Sequence, residues 1–405
     1  MGYSRPKLAY YRVAQGASWL VSKLIFRRKL LRNEIKGKQG PYVVIANHQC
    51  ALDFVNLIGA TNRPMSFVIS NSFYNTLPIK GFLDRMGVIP KQQFQTTAND
   101  LKRIKAVIDA GESVVIYPAG LMCEDGLSTP IPSATYKFLK WLNADVYVAR
   151  CKGSYFVMPK WTKGFRPGRT TLDIYQLFSK EDLAAADLET IRRKTDEALL
   201  FDAYREQAEQ PEKYIHNDRV AGLQNVLYLC PHCKTEFSIS VQGENTLVCS
   251  QCGFRHSADQ NGLLHNDGPV GQEIPYVSDW SRMIYAWQKD RMERGVETSL
   301  TASTDIYMID YGKHTFQKCG SGTVRLDETG FVIDGQLSGE PINLLIPMDG
   351  MPTLPFSPGK YLEIQHGKDI YRCMLQDGTL VMKFINMVKI YYEIHQQKRV
   401  KESIT

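Results

Sequence analysis

Between residues 42 and 178, short apolar runs rich in β-branched residues alternate with helical patterns, and that alternation admits few folds. The runs are 42–46, 66–70, 87–90, 113–117, 145–151 and 171–177. Short runs without polar alternation suit strands covered on both faces, and strands that alternate with helices build an α/β sheet. Between two of them, Leu101, Ile104 and Ile108 recur at helical spacing, with Asn99 placed to cap the helix and Gly111 to end it. A second helix is expected over 133–143, and Ser179-Lys180-Glu181-Asp182 approximates a capping box that opens a long helix through Leu199. The polar stretch 203–222 suits a linker.

The run 42–46 ends in Asn47-His48, and Asp53 follows five positions after the histidine. A loop between a buried strand and the next helix lies at the sheet edge, where α/β enzymes usually place their chemistry. A carboxylate about one helical turn away can hold an imidazole in one tautomer, leaving its other nitrogen free to take a proton from a hydroxyl.

With VVIYPAG at 114–120, the stretch VVIANHQCALD resembles the Asn-His-x4-Asp and (Phe/Tyr)-Pro-Glu-Gly landmarks of the lysophosphatidic acid acyltransferase family of glycerolipid acyltransferases. The resemblance covers residues 10–205 and implies an α/β fold, a mixed sheet with flanking helices. It implies His48 as general base and Asp53 as its orienting partner. It further implies acyl-CoA or acyl-carrier protein as donor and a lysophospholipid, lysophosphatidic acid or a related acceptor, in phospholipid biosynthesis. Transfer in that family is direct, so Cys50 is expected as a small packing residue. The residues expected against substrate are Asn47, Lys91, Tyr117, Pro118, Gly120 and Glu124.

Other blocks depart from the family. Gly87-Val88-Ile89-Pro90 is similar to its second block, but Gln93 stands where a phosphate-binding arginine is expected. Lys91 is the nearest cation and can hold a phosphate only as a point charge; Lys80 and Arg85 are further candidates. The third block reads Pro118-Ala119-Gly120-Leu121-Met122, without the family's glutamate, threonine and arginine. Glu124 and Asp125 could enter the same site by another route, or be turn residues. The replaced positions favour an alternative, a non-catalytic lipid-binding or membrane assembly protein on the same fold.

Charge divides the chain. Of 49 Lys and Arg and 42 Asp and Glu, ten basic residues and one acid fall in 1–38, which leaves 39 and 41 for the remainder. In 5–35, Trp19, Leu20, Leu24, Leu30 and Leu31 recur at near-helical spacing with Lys23, Arg27 and Arg28 between them. One or two such helices suit an anionic membrane surface; the alternative is a docking helix whose stripe packs on its own core. No run approaches 18 apolar residues and the start lacks a signal-peptide layout, so the expected location is cytoplasmic, peripheral on the inner face of the cell membrane.

Cys230-x2-Cys233 and Cys249-x2-Cys252, fifteen residues apart, have the spacing of a four-thiolate zinc site joined by a hairpin. The module resembles a rubredoxin-like zinc ribbon, with structural zinc and with His232 and His256 as solvated neighbours. A redox pair would not need the second pair. With only Lys234 and Arg255 as cations over 226–264, no nucleic-acid partner is expected; a protein partner is unknown. A helix is expected over 280–295. From Thr304, short alternating strands end in a helical pattern over 381–395, a layout that resembles a pleckstrin-homology or GRAM-like β-barrel capped by a helix. The expected division is 1–38 basic helices, 39–212 acyltransferase domain, 224–266 zinc ribbon, 267–300 helical connector and 301–398 β domain.

Overall fold

The computed structural model describes residues 5–93, 97–348 and 351–402, without the side chains of 399–402. The chain divides into two compact units, one covering most of 5–216 and the other most of 217–402. The second takes in the ribbon, connector and β-domain segments together.

The first unit opens with helix α1 (Leu8–Leu24) and strand β1 (Lys29–Asn33). There follow β2 (Tyr42–Ala46), α2 (Asp53–Ile58), β3 (Ser66–Ser70), α3 (Asn71–Thr76), α4 (Lys80–Arg85) and β4 (Ile89–Lys91). Next come α5 (Ala98–Asp109), β5 (Val114–Ile116), α6 (Ala134–Leu142), β6 (Asp145–Lys152) and α7 (Ser154–Val157). β7 (Thr171–Phe178), α8 (Lys180–Ala185), α9 (Leu188–Leu199) and α10 (Ala203–Glu209) complete it. The strands form one mixed sheet in the order β1-β7-β6-β2-β5-β3-β4, in which only β6 and β7 run antiparallel.

Strand alternation puts apolar side chains on both faces. Val43, Ile45, Val114, Val146 and Val148 pack with Ile104 of α5, Leu139 of α6 and Ile191 of α9. Tyr42, Val44, Val115 and Tyr147 face Tyr11 of α1 and Leu57 of α2. Covering both faces explains why the central strands read as unbroken apolar runs.

Several local expectations are corrected. The N-terminal arm is one helix followed by an exposed edge strand that pairs parallel to β7, because Leu30 to Asn33 find a strand edge to join. Thr97, not Asn99, caps α5, in a reciprocal capping box with Asp100. The helix expected through Leu199 is two, because Ala186 is extended and Asp187 starts a new helix by accepting from Thr190 N. The expected linker holds α10, whose Tyr204 and Gln207 are buried.

In the second unit, β8 (Ile239–Gln242), β9 (Thr246–Cys249), β10 (Arg255–Ala258) and β11 (Leu264–Asn266) form an antiparallel sheet, so the expected hairpin is present. Helix α11 (Val277–Glu293) follows, with Trp280 buried and its indole N–H donating to Leu229 O at 2.8 Å. Seven antiparallel strands come next: β12 (Leu300–Asp310), β13 (Thr315–Asp327), β14 (Gly330–Leu337), β15 (Glu340–Pro347), β16 (Phe356–Ser357), β17 (Tyr361–His366) and β18 (Asp369–Leu375). The last described element is α12 (Val381–Glu402), which buries Phe384 and Val388.

The expected barrel does not close. The strand order is β15-β14-β13-β12-β18-β17-β16, with β15 and β16 as open ends. Closure requires matched strands at a consistent tilt, whereas β16 has two residues and β13 has thirteen. Pro341 and Pro347 also remove donors from the β15 edge.

Candidate active site and metal site

β2 and β5 are parallel neighbours, so their C-terminal ends deliver His48 and Tyr117-Pro118 to one edge of the sheet. The chain turns sharply after His48 because Asp53, at the start of α2 and 1% exposed, gathers the turn around one carboxylate oxygen. Its Oδ2 accepts from Gln49 N at 2.6 Å and Cys50 N at 2.9 Å, and lies 3.0 Å from His48 Nδ1. Three donors on one carboxylate oxygen fix the imidazole plane and assign its Nδ1 as the protonated nitrogen. Nε2 is left free to accept a proton. The Tyr117 ring lies against the imidazole, with centroids 4.6 Å apart and planes 37° apart. Burial of its hydroxyl end, with Asp53 nearby, holds Tyr117 well above the usual phenol range.

A cleft opens beside His48, lined further by Ala46, Asn47, Pro118, Ala119, Ser128, Thr129, Ile131 and Leu199 to Phe201. It has about 250 Å³ of empty space, part of it open to solvent. His48 is 22% exposed and is the only imidazole among these residues.

The other expected site residues separate. Asn47 is buried and its amide is engaged at both ends: Nδ2 donates to Cys151 O at 2.7 Å, and Oδ1 accepts from Cys151 N at 2.8 Å. It ties the ends of β2 and β6 together. Gly120 forms the turn after β5, at φ +72° with its N–H donating to Tyr117 O. Lys91 lies at the end of β4, outside the cleft lining, where Nζ donates to Gln92 O; burial pulls its pKa down, against the pull of Asp100. Glu124 is buried, also outside the lining, and its carbonyl accepts from Tyr155 Oη at 3.4 Å.

Cys50 donates to Asp53 Oδ1 at 3.4 Å, and burial raises its thiol well above the usual range, which suits a packing role and not a nucleophile. Sequence reasoning missed the backbone donors of Gln49 and Cys50, and the wall residues Ser128, Thr129 and Leu199 to Phe201. Backbone groups leave no mark in side-chain pattern, and the wall comes from segments distant in sequence.

In the second unit, the Sγ atoms of Cys230, Cys233, Cys249 and Cys252 all lie within 4.8 Å of one another, positioned to bind a metal ion. Sγ–Sγ distances are 3.7 Å for Cys230–Cys252 and for Cys233–Cys249. A tetrahedron with metal–sulfur bonds of about 2.3 Å has edges of roughly 3.75 Å, so the four thiols fit structural zinc. Cys249 and Cys233 are also within 3.3 Å of Ser238 Oγ and Thr235 Oγ1, respectively. His256 corrects an expectation: it is fully buried and stacked on Phe254, and its Nε2 accepts from Ile274 N at 3.1 Å.

The family model described as Acyltransferase matches residues 27–156, which include His48, Asp53 and the β5 turn. No curated protein matches the chain. Among solved structures, the 1-acyl-sn-glycerophosphate (LPA) acyltransferase PlsC from Thermotoga maritima is similar at 15% identity and a TM-score of 0.40. That likeness covers 50% of this chain and 80% of the other, and is too distant to carry an argument. By the family match, residues 27–156 are similar to an acyltransferase domain.

Proposed function

We propose that this protein is a glycerolipid O-acyltransferase. It moves a fatty acyl group from acyl-CoA or acyl-carrier protein to the hydroxyl of a lysophospholipid, lysophosphatidic acid or a related acceptor, in phospholipid biosynthesis. The observation that carries the proposal is the His48–Asp53 pair at the mouth of a cleft. Nδ1 is held by a buried carboxylate and Nε2 is free, the arrangement a general base needs. The acceptor hydroxyl gives its proton to Nε2 as its oxygen attacks the thioester carbonyl. The carbon–sulfur bond then breaks, and the departing thiolate recovers the proton.

An exposed apolar and basic surface on α1 is compatible with the same reading. α1 packs Tyr11, with Tyr10 and Ala14, against the sheet, and leaves a second apolar set, Leu8, Val13, Trp19, Leu20 and Leu24, exposed. Lys23, Arg27 and Lys29 are exposed, and Lys23 lies over the Trp19 ring. Such a face suits the anionic inner surface of the cell membrane. No helix among the described residues is long and apolar enough to cross a membrane. In the second unit, Cys230, Cys233, Cys249 and Cys252 would hold a structural zinc.

The test is thiol release from a panel of acyl-CoAs, with lysolipids presented on liposomes. Acceptor-dependent release supports the enzyme. Tight liposome binding without release for any acceptor favours the alternative, a non-catalytic lipid-binding protein, which the Ala119, Leu121 and Met122 replacements also favour.

A further inference from the structure

The third block's departures leave an unusual charge pattern around His48. Among the described residues, the cleft lining contains no lysine or arginine. From Ala106 to Tyr136, the stretch that supplies the Pro118–Ile131 wall, there is no basic residue at all, while Asp109, Glu112, Glu124 and Asp125 all fall within it. Glu124 and Asp125 are buried and lie outside the lining. Beside the Leu199–Phe201 part of the lining, Arg150 donates to the carbonyls of Ala198 and Leu200 and pairs with Glu206. Lys91 and Lys152 stand outside the lining.

What the lining does present is hydroxyl groups. Ser128 Oγ accepts from Phe201 N at 3.2 Å, so its own proton is available to a ligand oxygen, and Thr129 is its neighbour. Both are half-buried. A phosphate monoester in this cleft would lose water without gaining a cation, whereas a neutral diol would exchange water for these hydroxyls.

We propose that the acceptor presents an uncharged, hydroxyl-bearing glyceryl group to this cleft, as a monoacylglycerol does, and not a phosphate monoester. The proposal rests on the acyltransferase function above and takes the acceptor to be the related, uncharged one in place of lysophosphatidic acid. The acceptor hydroxyl loses its proton to His48 Nε2 and bonds to the thioester carbonyl carbon, and the thiol leaves with that proton, while Ser128 and Thr129 hold the remaining hydroxyl. Loss of one charge-assisted contact to phosphate predicts discrimination on the order of ten- to a hundredfold.

The full chain is assayed with one acyl-CoA, against monoacylglycerol and lysophosphatidic acid of the same chain length in mixed micelles, with product identified by mass. A kcat/KM at least about tenfold higher for monoacylglycerol is expected; equal or better use of lysophosphatidic acid overturns the proposal. A second measurement needs no turnover: carbethoxylation of His48 by diethyl pyrocarbonate, followed by peptide mass. Monoacylglycerol should slow it and lysophosphatidic acid at the same concentration should not. Selective protection without transfer would sustain the acceptor class while removing the enzymatic function. Protection by lysophosphatidic acid alone, or by neither, overturns the proposal. Ala119→Lys places a cation in the lining and should raise lysophosphatidic acid use about tenfold relative to monoacylglycerol.

Discussion

Replacing Asp53 by asparagine or by alanine should give two separable failures. In Asp53→Asn, the N–H groups of Gln49 and Cys50 dictate which way the amide faces: its oxygen must take the Oδ2 position, 2.6 and 2.9 Å from them. That oxygen still accepts from His48 Nδ1, so tautomer and ring plane survive and only the charge is lost. A charge-assisted bond exceeds a neutral one by about 1–2 kcal/mol, which lowers kcat roughly 5- to 30-fold through weaker support of the imidazolium. KM and the melting temperature should change little. In Asp53→Ala, two backbone N–H groups lose their acceptor at about 1–3 kcal/mol each, so stability falls by about 2–6 kcal/mol and the ring loses its orientation. Thermal unfolding by circular dichroism and steady-state thiol release read the two effects. An Asp53→Ala protein as stable as wild type, or an Asp53→Asn protein no better than His48→Ala, would refute this account of the turn.

Three further outcomes are expected. The four-cysteine cluster should hold one zinc per chain, released on thiol modification and read by a chromogenic chelator; Cys249→Ser should lose the metal, and with it an apparent binding energy on the order of 10 kcal/mol. A metal-free wild-type protein with an unchanged melting temperature would contradict this. Neutralising Lys23, Arg27 and Lys29 together should weaken binding to anionic vesicles by about 3 kcal/mol, roughly a hundredfold, and leave binding to zwitterionic vesicles nearly intact; unchanged sedimentation with anionic vesicles would remove the membrane role of α1. Burial raises the Cys373 thiol from 9.0 to about 12. The folded state therefore holds this proton more tightly than the unfolded chain. Its contribution, at most about 4 kcal/mol, is complete below pH 9 and lost between pH 9 and 12. Denaturant titrations should show that alkaline slope in wild type and a shallower one in Cys373→Val.

The sheet of the first unit was legible because each central strand is buried on both faces and must be apolar throughout. Ser66–Ser70 and Tyr42–Ala46 fall where their β-branched runs place them. β1 was hidden because an edge strand with both Leu30 and Leu31 exposed has no buried face to imprint a period. At the site, the five-residue spacing together with the resemblance to the acyltransferase landmarks paired His48 with Asp53. The engagement of Asn47 with Cys151 could not be read, since its partner is a backbone 104 residues away. The four cysteines carried their geometry in their spacing. Six of the seven C-terminal strands could be read from their turns; β16, with two residues, left no period to read, and whether β15 met β16 depends on strand length and on edge prolines.

The central claim is that His48 Nε2 removes the acceptor's proton, and the most direct measurement compares wild type with His48→Ala in acceptor-dependent acyl transfer. Both proteins are matched in melting temperature and zinc content, and the acyl ester is quantified by mass. The account predicts ester formation stoichiometric with thiol release in wild type, and a loss of about a hundredfold or more in the variant. Transfer by His48→Ala at a rate near wild type, with folding and metal unchanged, would contradict it.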